Sequence, residues 1–304
     1  MSEAPVGRES VSGPGAVSAT AAGSATASDS GSGSDSGSRS VVVESLTALS
    51  DFAARHAVLA EGYGGAVDPE DPERVQAMQM VLHLPKADPP PRSALLAAAA
   101  SAVVALCLDE RVGAGGPWEQ RYLEWKRARI RKVARRARGA QWTAAGEVEG
   151  VTVEIGGAQA RAFVPCPVGE TDQRIRRLQI GGTDLEHDEP GPPDPDLPVL
   201  WVNSSLGMSL GKAAAQVGHA SMLLAGAMDV ERAREWAGRG FGCSVREADP
   251  DRWRELSARL VGSSRPGPAR SRPGAGTAIA VRDAGFTEIA PGSLTVIGVP
   301  ADTW

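Results

Sequence analysis

The sequence predicts an α/β protein, a mixed central β-sheet with helices on both faces, built as two related lobes behind a disordered tail. Three observations carry that expectation. Short apolar runs alternate with longer helical ones through most of the 304 residues, the signature of packed sheet and helix layers. The order of those runs repeats on either side of an acidic, Pro-rich segment at 182–198. The first 40 residues hold 26 Ser, Gly or Ala and no aromatic side chain, so they lack the apolar surface to bury a core. The expected division is a tail at 1–45, an N-terminal lobe at 46–181, a linker at 182–198 and a C-terminal domain at 199–304.

Residues 46–62 read as one amphipathic helix, and 64–76, rich in Gly, Pro and acid, as a loop. Met80–Leu84 is a short apolar strand, followed by Asp88 and three prolines that break the chain. Ser93–Leu108 is an Ala-rich helix with Ser93 as its N-cap. Trp118–Arg138 reads as a second helical run. Val151–Ile155 and Ala160–Val164 are strands on either side of Gly156 and Gly157. Beyond the linker the pattern restarts with a strand at Val199–Val202 and a helix over about 211–228, continued by Glu231–Trp236. Gly242–Arg246 is a strand, Pro250–Leu260 a helix, and 262–276 a flexible Pro, Gly and Arg loop. Ala278–Arg282 and Leu294–Val299 close the chain as strands.

The two halves can be laid over each other. Val81–Leu84 falls on Leu200–Asn203 and Ser93–Leu108 on Lys212–Ala227 without a gap, while Ala160–Pro167 meets Ser293–Pro300 only after gaps. A diverged repeat of β-α-(α)-β-β order is one explanation, and chance alignment of two Ala-rich helices is the other. With a repeat, the chain is a monomeric pseudo-dimer rather than a homodimer.

Composition excludes several classes. No apolar stretch reaches the ~18 residues of a transmembrane helix, so no membrane association is expected. The N-terminus lacks a basic region followed by an apolar one, so no secretory signal is expected. Cys107, Cys166 and Cys243 are odd in number and widely spaced, with neither metal-ligand spacing nor a disulfide framework, which fits a cytoplasmic location. The net charge is −5, but 1–45 contributes −3 and 182–198 contributes −6, leaving +4 on the remainder. An anionic partner is therefore compatible with the folding parts.

Two segments carry the candidate chemistry. In Leu206–Ala220, Gly211 and Lys212 open a helix, and Lys212, Gln216 and His219 share one face at i, i+4, i+7. A Lys in the first helical turn opposes the helix dipole by ~0.3–1 kcal/mol. An anion site, for a phosphate or a developing oxyanion, would explain the placement. In Arg282–Thr295, Asp283 follows a strand, Gly285 permits a tight turn and Thr287 lies four residues beyond Asp283. Such an Asp can polarise a water or orient a lysine, or simply cap a turn.

The two segments together resemble the signature stretches of the type-2 peptidyl-tRNA hydrolases. The first family stretch reads roughly G-K-x-A-A-Q-x-x-H-A and is matched here by Gly211–Ala220. The second reads roughly R-D-A-G-x-T-x-I-x-P-G-S-x-T-V and is matched by Arg282–Val296. The resemblance covers Val199–Pro300, about a third of the chain. It implies a compact α/β domain that hydrolyses the ester joining a peptide to the terminal ribose of tRNA, with no metal or organic cofactor. Its catalytic groups carry over to Lys212, Asp283 and Thr287, with His219 nearby. Gly211, Gln216, Arg282 and Gly285 become the expected substrate contacts. The chain departs from the family where an R-x-D-L-x-M pattern is usual, having Asn203 and Ser205 in place of the Arg and Asp, and Phe286 where a basic residue is frequent.

The N-terminal lobe lacks these groups. Lys212, Gln216 and His219 fall on Ser93, Ala97 and Ala100, so this lobe is expected to be catalytically silent. It carries instead a basic run, Glu119–Arg138, with nine Lys or Arg against two Glu. Read as a helix, it offers Lys126, Arg127, Arg129, Arg131, Lys132, Arg135 and Arg136 to a tRNA backbone. A solvated face or another acidic partner are the competing explanations. A non-catalytic RNA-binding protein of the same fold is the alternative function.

Overall fold

Two sheets of the same topology enclose a pair of antiparallel helices. The computed structural model describes residue 48 and residues 50–182, 184–263, 277–283 and 288–301. The expected tail at 1–45, most of the 262–276 loop, and Gly285, Phe286 and Thr287 lie outside the described residues.

The first sheet is built from β1 (Gln76–His83), β2 (Arg131–Ala137), β3 (Gly150–Ile155) and β4 (Ala158–Phe163), in the order β2-β1-β4-β3, with the short β5 (Cys166–Pro167) also on β1. The second has β6 (Val199–Asn203), β7 (Ser244–Ala248), β8 (Ile279–Arg282) and β9 (Leu294–Val299), in the order β7-β6-β9-β8. In each, the first strand pairs parallel with the second and antiparallel with the fourth. The helix after β1 is α2 (Arg92–Cys107), and the helix after β6 is α6 (Leu210–Ala227). The repeat expected from the sequence is thus present as a repeated topology. The helices α1 (residues 50–60) and α3 (Glu119–Arg127) complete the first half.

The central layer explains the Ala-rich helices. α2 packs on β3 and β4 of its own sheet, on β7 of the other sheet and on α6. α6 mirrors this against β8, β9 and β2. A helix enclosed on all sides has no polar stripe; in α2 every residue from Leu95 to Val104 is buried. Small side chains permit the close approach. A Cβ on Gly218 would stand 3.0 Å from Val103 Cγ2, and Ser221 Oγ donates to Ala100 O at 2.7 Å. Strand alternation splits the remaining apolar groups. Met78, Met80 and Leu82 face the central helices, whereas Val81 faces an outer cluster with Phe163, Ile175 and Leu178. That outer face carries α4 (Ala140–Gly146) and α5 (Gln173–Arg176). The outer face of the second sheet carries α8 (Pro250–Ser263), through Leu256 against Ile297 and Val299. α7 (Val230–Gly238) buries Trp236 in the central core. Helices therefore lie on both faces of both sheets.

Three local expectations change. The basic run is not one helix: α3 ends at Arg127, and Arg131–Ala137 is strand β2. Arg, Lys and Ala favour helix, but pairing to β1 along the whole segment, with Ala134 in the central core and Ala137 in the outer one, outweighs that weak preference. Ser93 is not the N-cap of α2, a position held by Pro91. Instead, Asp188 accepts from Ser93 N at 2.8 Å and from its hydroxyl at 2.5 Å. The acidic linker is thereby pinned to the body. Asp184 also pairs with Arg92 at 3.4 Å, and His187 contacts Glu247.

Candidate active site

Asp283, Lys212 and Gln216, taken from the two motif stretches, meet in one buried cluster. Lys212 Nζ donates to Asp283 Oδ1 at 2.6 Å, and Gln216 Nε2 donates to the same oxygen at 3.0 Å. Both charged side chains are largely enclosed, at 11% and 7% relative exposure. Lys212 and Gln216 stand one turn apart on α6, which lets two donors reach one carboxylate oxygen. Asp283 itself is fixed by backbone: its N–H donates to Ser293 O at 3.0 Å, and its carbonyl accepts from Gly292 N at 2.8 Å. Gly292 has φ +79°, a conformation that favours glycine.

A further residue locks Gln216. Thr295 Oγ1 lies 2.6 Å from Gln216 Oε1 and 3.1 Å from Val281 O, fully buried. The β8–β9 register shifts between Val281, opposite Val296, and Arg282, opposite Leu294, leaving Thr295 as the extra residue of a bulge. Val296 faces the central core while Ile297 and Val299 face the outer one. Strict alternation would send Thr295 outward, so the bulge is what turns it towards α6. Its sequence signal is a lone Thr inside an apolar strand.

The start of α6 is not a vacant anion site. Ser209 caps it, accepting from Lys212 N at 3.2 Å. Glu288 accepts from Ser209 N at 3.0 Å and from its hydroxyl at 2.6 Å. Asp184 accepts from Leu210 N at 2.7 Å. The chain's own carboxylates take the place expected for a bound anion, and with Asp283 they offset the unfavourable Lys212–dipole interaction. Asp184 and Glu288 gave no signal in the sequence beyond their charge.

Other expected site residues scatter. His219 lies about 10 Å further along the helix axis than Lys212 and turns to the N-terminal half. Its Nδ1 is 3.1 Å from Lys132 Nζ, and its ring lies 5.9 Å from that of Tyr63. Burial, with Lys132 and Lys212 nearby, holds the imidazole well below its ordinary range. Arg282 is exposed and donates to Gly292 O at 3.1 Å. Gly211 faces the first sheet, where a Cβ would meet Ile180 O at 3.4 Å. Asn203 is used locally: it donates to Leu294 O at 3.2 Å and accepts from Ser205 N at 3.1 Å.

The basic run does not present one RNA-facing stripe. Lys126 is buried and donates to Gly62 O. Arg135 is buried against Gln79 Oε1 at 3.0 Å and Leu178 O at 2.8 Å. Arg131 pairs with Asp68 at 2.6 Å, and Arg129 reaches the same carboxylate at 3.5 Å. Lys132 Nζ lies between His219 and Met222 Sδ, the latter at 3.1 Å. Burial pushes its ammonium down to about 7, with the Cys107 thiol opposing the shift. Arg127 is exposed, and Arg136 contacts Gln179.

In the first half, the turn corresponding to the β8–β9 loop is only Gly156 and Gly157, between β3 and β4. No Asp283 equivalent exists there. Among the described residues, no three His, Cys, Asp or Glu gather as a metal site, and no helix is long and apolar enough to cross a membrane. No protein-family model matches the chain, and no curated protein matches it in sequence.

Proposed function

We propose that the chain hydrolyses the ester bond between peptide and tRNA, with its chemistry at the Lys212–Asp283 pair. The observation that carries this reading is the convergence of Lys212 and Gln216 on one oxygen of Asp283, at 2.6 and 3.0 Å. In this reading Asp283 takes a proton from the attacking water. The Lys212 ammonium stabilises the oxyanion formed at the ester carbonyl. Collapse breaks the bond to the ribose oxygen, which leaves with the proton that Asp283 took from the water, and free tRNA and peptide result. Gln216, locked by Thr295, positions the carboxylate. The N-terminal half is catalytically silent, and the functional unit is a monomer. A cytoplasmic setting accompanies this reading, since free thiols at Cys107, Cys166 and Cys243 suit a reducing compartment.

One observation favours a non-catalytic RNA-binding protein instead: Asn203 and Ser205 bond to backbone and to each other where the family has charged groups. Release of tRNA from an N-blocked aminoacyl-tRNA by the purified chain separates the two readings. The hydrolase reading expects turnover, with a loss of about 10²–10³-fold in Lys212→Ala. Binding of tRNA without turnover would establish the alternative.

A further inference from the structure

Several cations of the first half pair with the chain's own carboxylates, and four that do not gather at one place. Arg111, Arg121, Arg131 and Arg174 all bridge to Asp or Glu. Lys86, Arg136, Arg138 and Arg177 form no ion pair among the described residues. These four line one cavity of about 340 Å³, together with the amides of Gln141 and Gln179. Lys86, Arg138 and Arg177 are exposed. The single carboxylate in the lining, Asp184, is engaged with Arg92 and with Leu210 N.

The cavity sits where the parallel strands β1 and β2 end together, at His83 and Ala137. The carboxyl ends of parallel strands are the usual ligand side of an open α/β sheet. The equivalent edge of the second sheet carries Asn203, Ala248 and Asp249 instead, so the positive charge is particular to this half. The cavity is also contiguous with the start of α6. Leu84, Arg136 and Asp184 line it and line a smaller cavity of about 30 Å³ that reaches Ser209, Leu210 and Gly211, next to Lys212.

We propose that this cleft grips the sugar–phosphate backbone of the RNA whose terminal ester is presented to Lys212 and Asp283. The inference rests on the hydrolase reading for what lies at the far end, but the cleft's affinity for RNA is independently measurable. The half without the Lys212–Asp283 pair thus supplies the anchor. Its cations are unneutralised, and each that meets a phosphate releases counterions.

The test is the salt dependence of binding of deacylated tRNA to the full chain, compared with Arg138→Gln/Arg177→Gln and with Arg252→Gln/Arg254→Gln on α8. The cleft variant should bind about tenfold or more weakly at low salt. Its slope of log affinity against log salt should be shallower by ~1.4–1.8, from ~0.7–0.9 per lost phosphate contact. The α8 variant should match wild type. With N-blocked aminoacyl-tRNA, the cleft variant should raise KM and leave kcat in place. An unchanged slope, an equal loss in the α8 variant, or no tRNA binding by wild type would overturn the proposal. Absence of turnover with cleft-dependent binding would refute the hydrolase reading and leave the cleft standing.

Discussion

Replacing Lys132 by Met should remove a contribution that strengthens the wild-type fold as pH rises above neutrality. The Lys132 amine is held at about 7 by burial between His219, Met222 and Trp125, whereas an unfolded lysine titrates near ~10.4. Between those values the unfolded chain carries a proton that the folded chain lacks. Stability therefore increases with pH across that window and is lost as pH falls back through about 7. One such group contributes a slope of up to ~1.4 kcal/mol per pH unit. With a urea m-value of ~2–3 kcal/mol/M, the wild-type midpoint should rise by ~0.5 M relative to the variant's from pH 8 to pH 9, the buried Cys107 and Cys243 thiols, which burial pushes up, opposing the rise in both chains. The difference between the two curves isolates this group. Below its ordinary value His219 acts in the same direction, since the folded imidazole refuses a proton that the unfolded one accepts. That lower limb should survive in Lys132→Met. The assay is urea unfolding followed by Trp fluorescence between pH 5.5 and 9.5. Parallel curves for wild type and variant above pH 7.5 would refute the reasoning.

Three other outcomes are expected. Gly218→Val places branched carbon against Val103, already 3.0 Å from a bare Cβ, and should cost about 1–3 kcal/mol by overpacking, read as a fall in Tm. Thr295→Val removes the hydroxyl that holds Gln216. It should cost ~1–3 kcal/mol and lower kcat several-fold with KM unchanged, while Thr295→Ser should restore both. Sedimentation should find a monomer near 31.4 kDa, since α2 already occupies the face of α6 that a second copy would use; a tight dimer would contradict this.

Most of the fold was legible because burial on both faces writes itself into composition. The Ala-rich runs of α2 and α6 marked two helices, and their ungapped alignment pointed to a repeat that chance could also have produced. The basic run misled because its helix-favouring residues form an edge strand whose partner lies 54 residues upstream, information that local propensity does not hold. In the site, Lys212, Gln216 and Asp283 stood in the two stretches that resemble the hydrolase signatures. His219 shared their face in projection, but its displacement along the helix axis put it against Lys132 instead. Thr295 required knowing of a bulge, and Asp184 and Glu288 required knowing which backbone amides stood near them. Those facts are tertiary, and charge alone does not encode them.

The central claim, that Lys212 and Asp283 act as one unit on an ester, is tested most directly by a double-mutant cycle. Release of tRNA from N-blocked aminoacyl-tRNA would be measured for wild type, Lys212→Ala, Asp283→Ala and the double variant. The expected result is turnover in wild type, a loss of about 10²-fold or more in each single variant, and a double variant no worse than the poorer single one. No turnover in wild type, or single losses that multiply in the double variant, would contradict it.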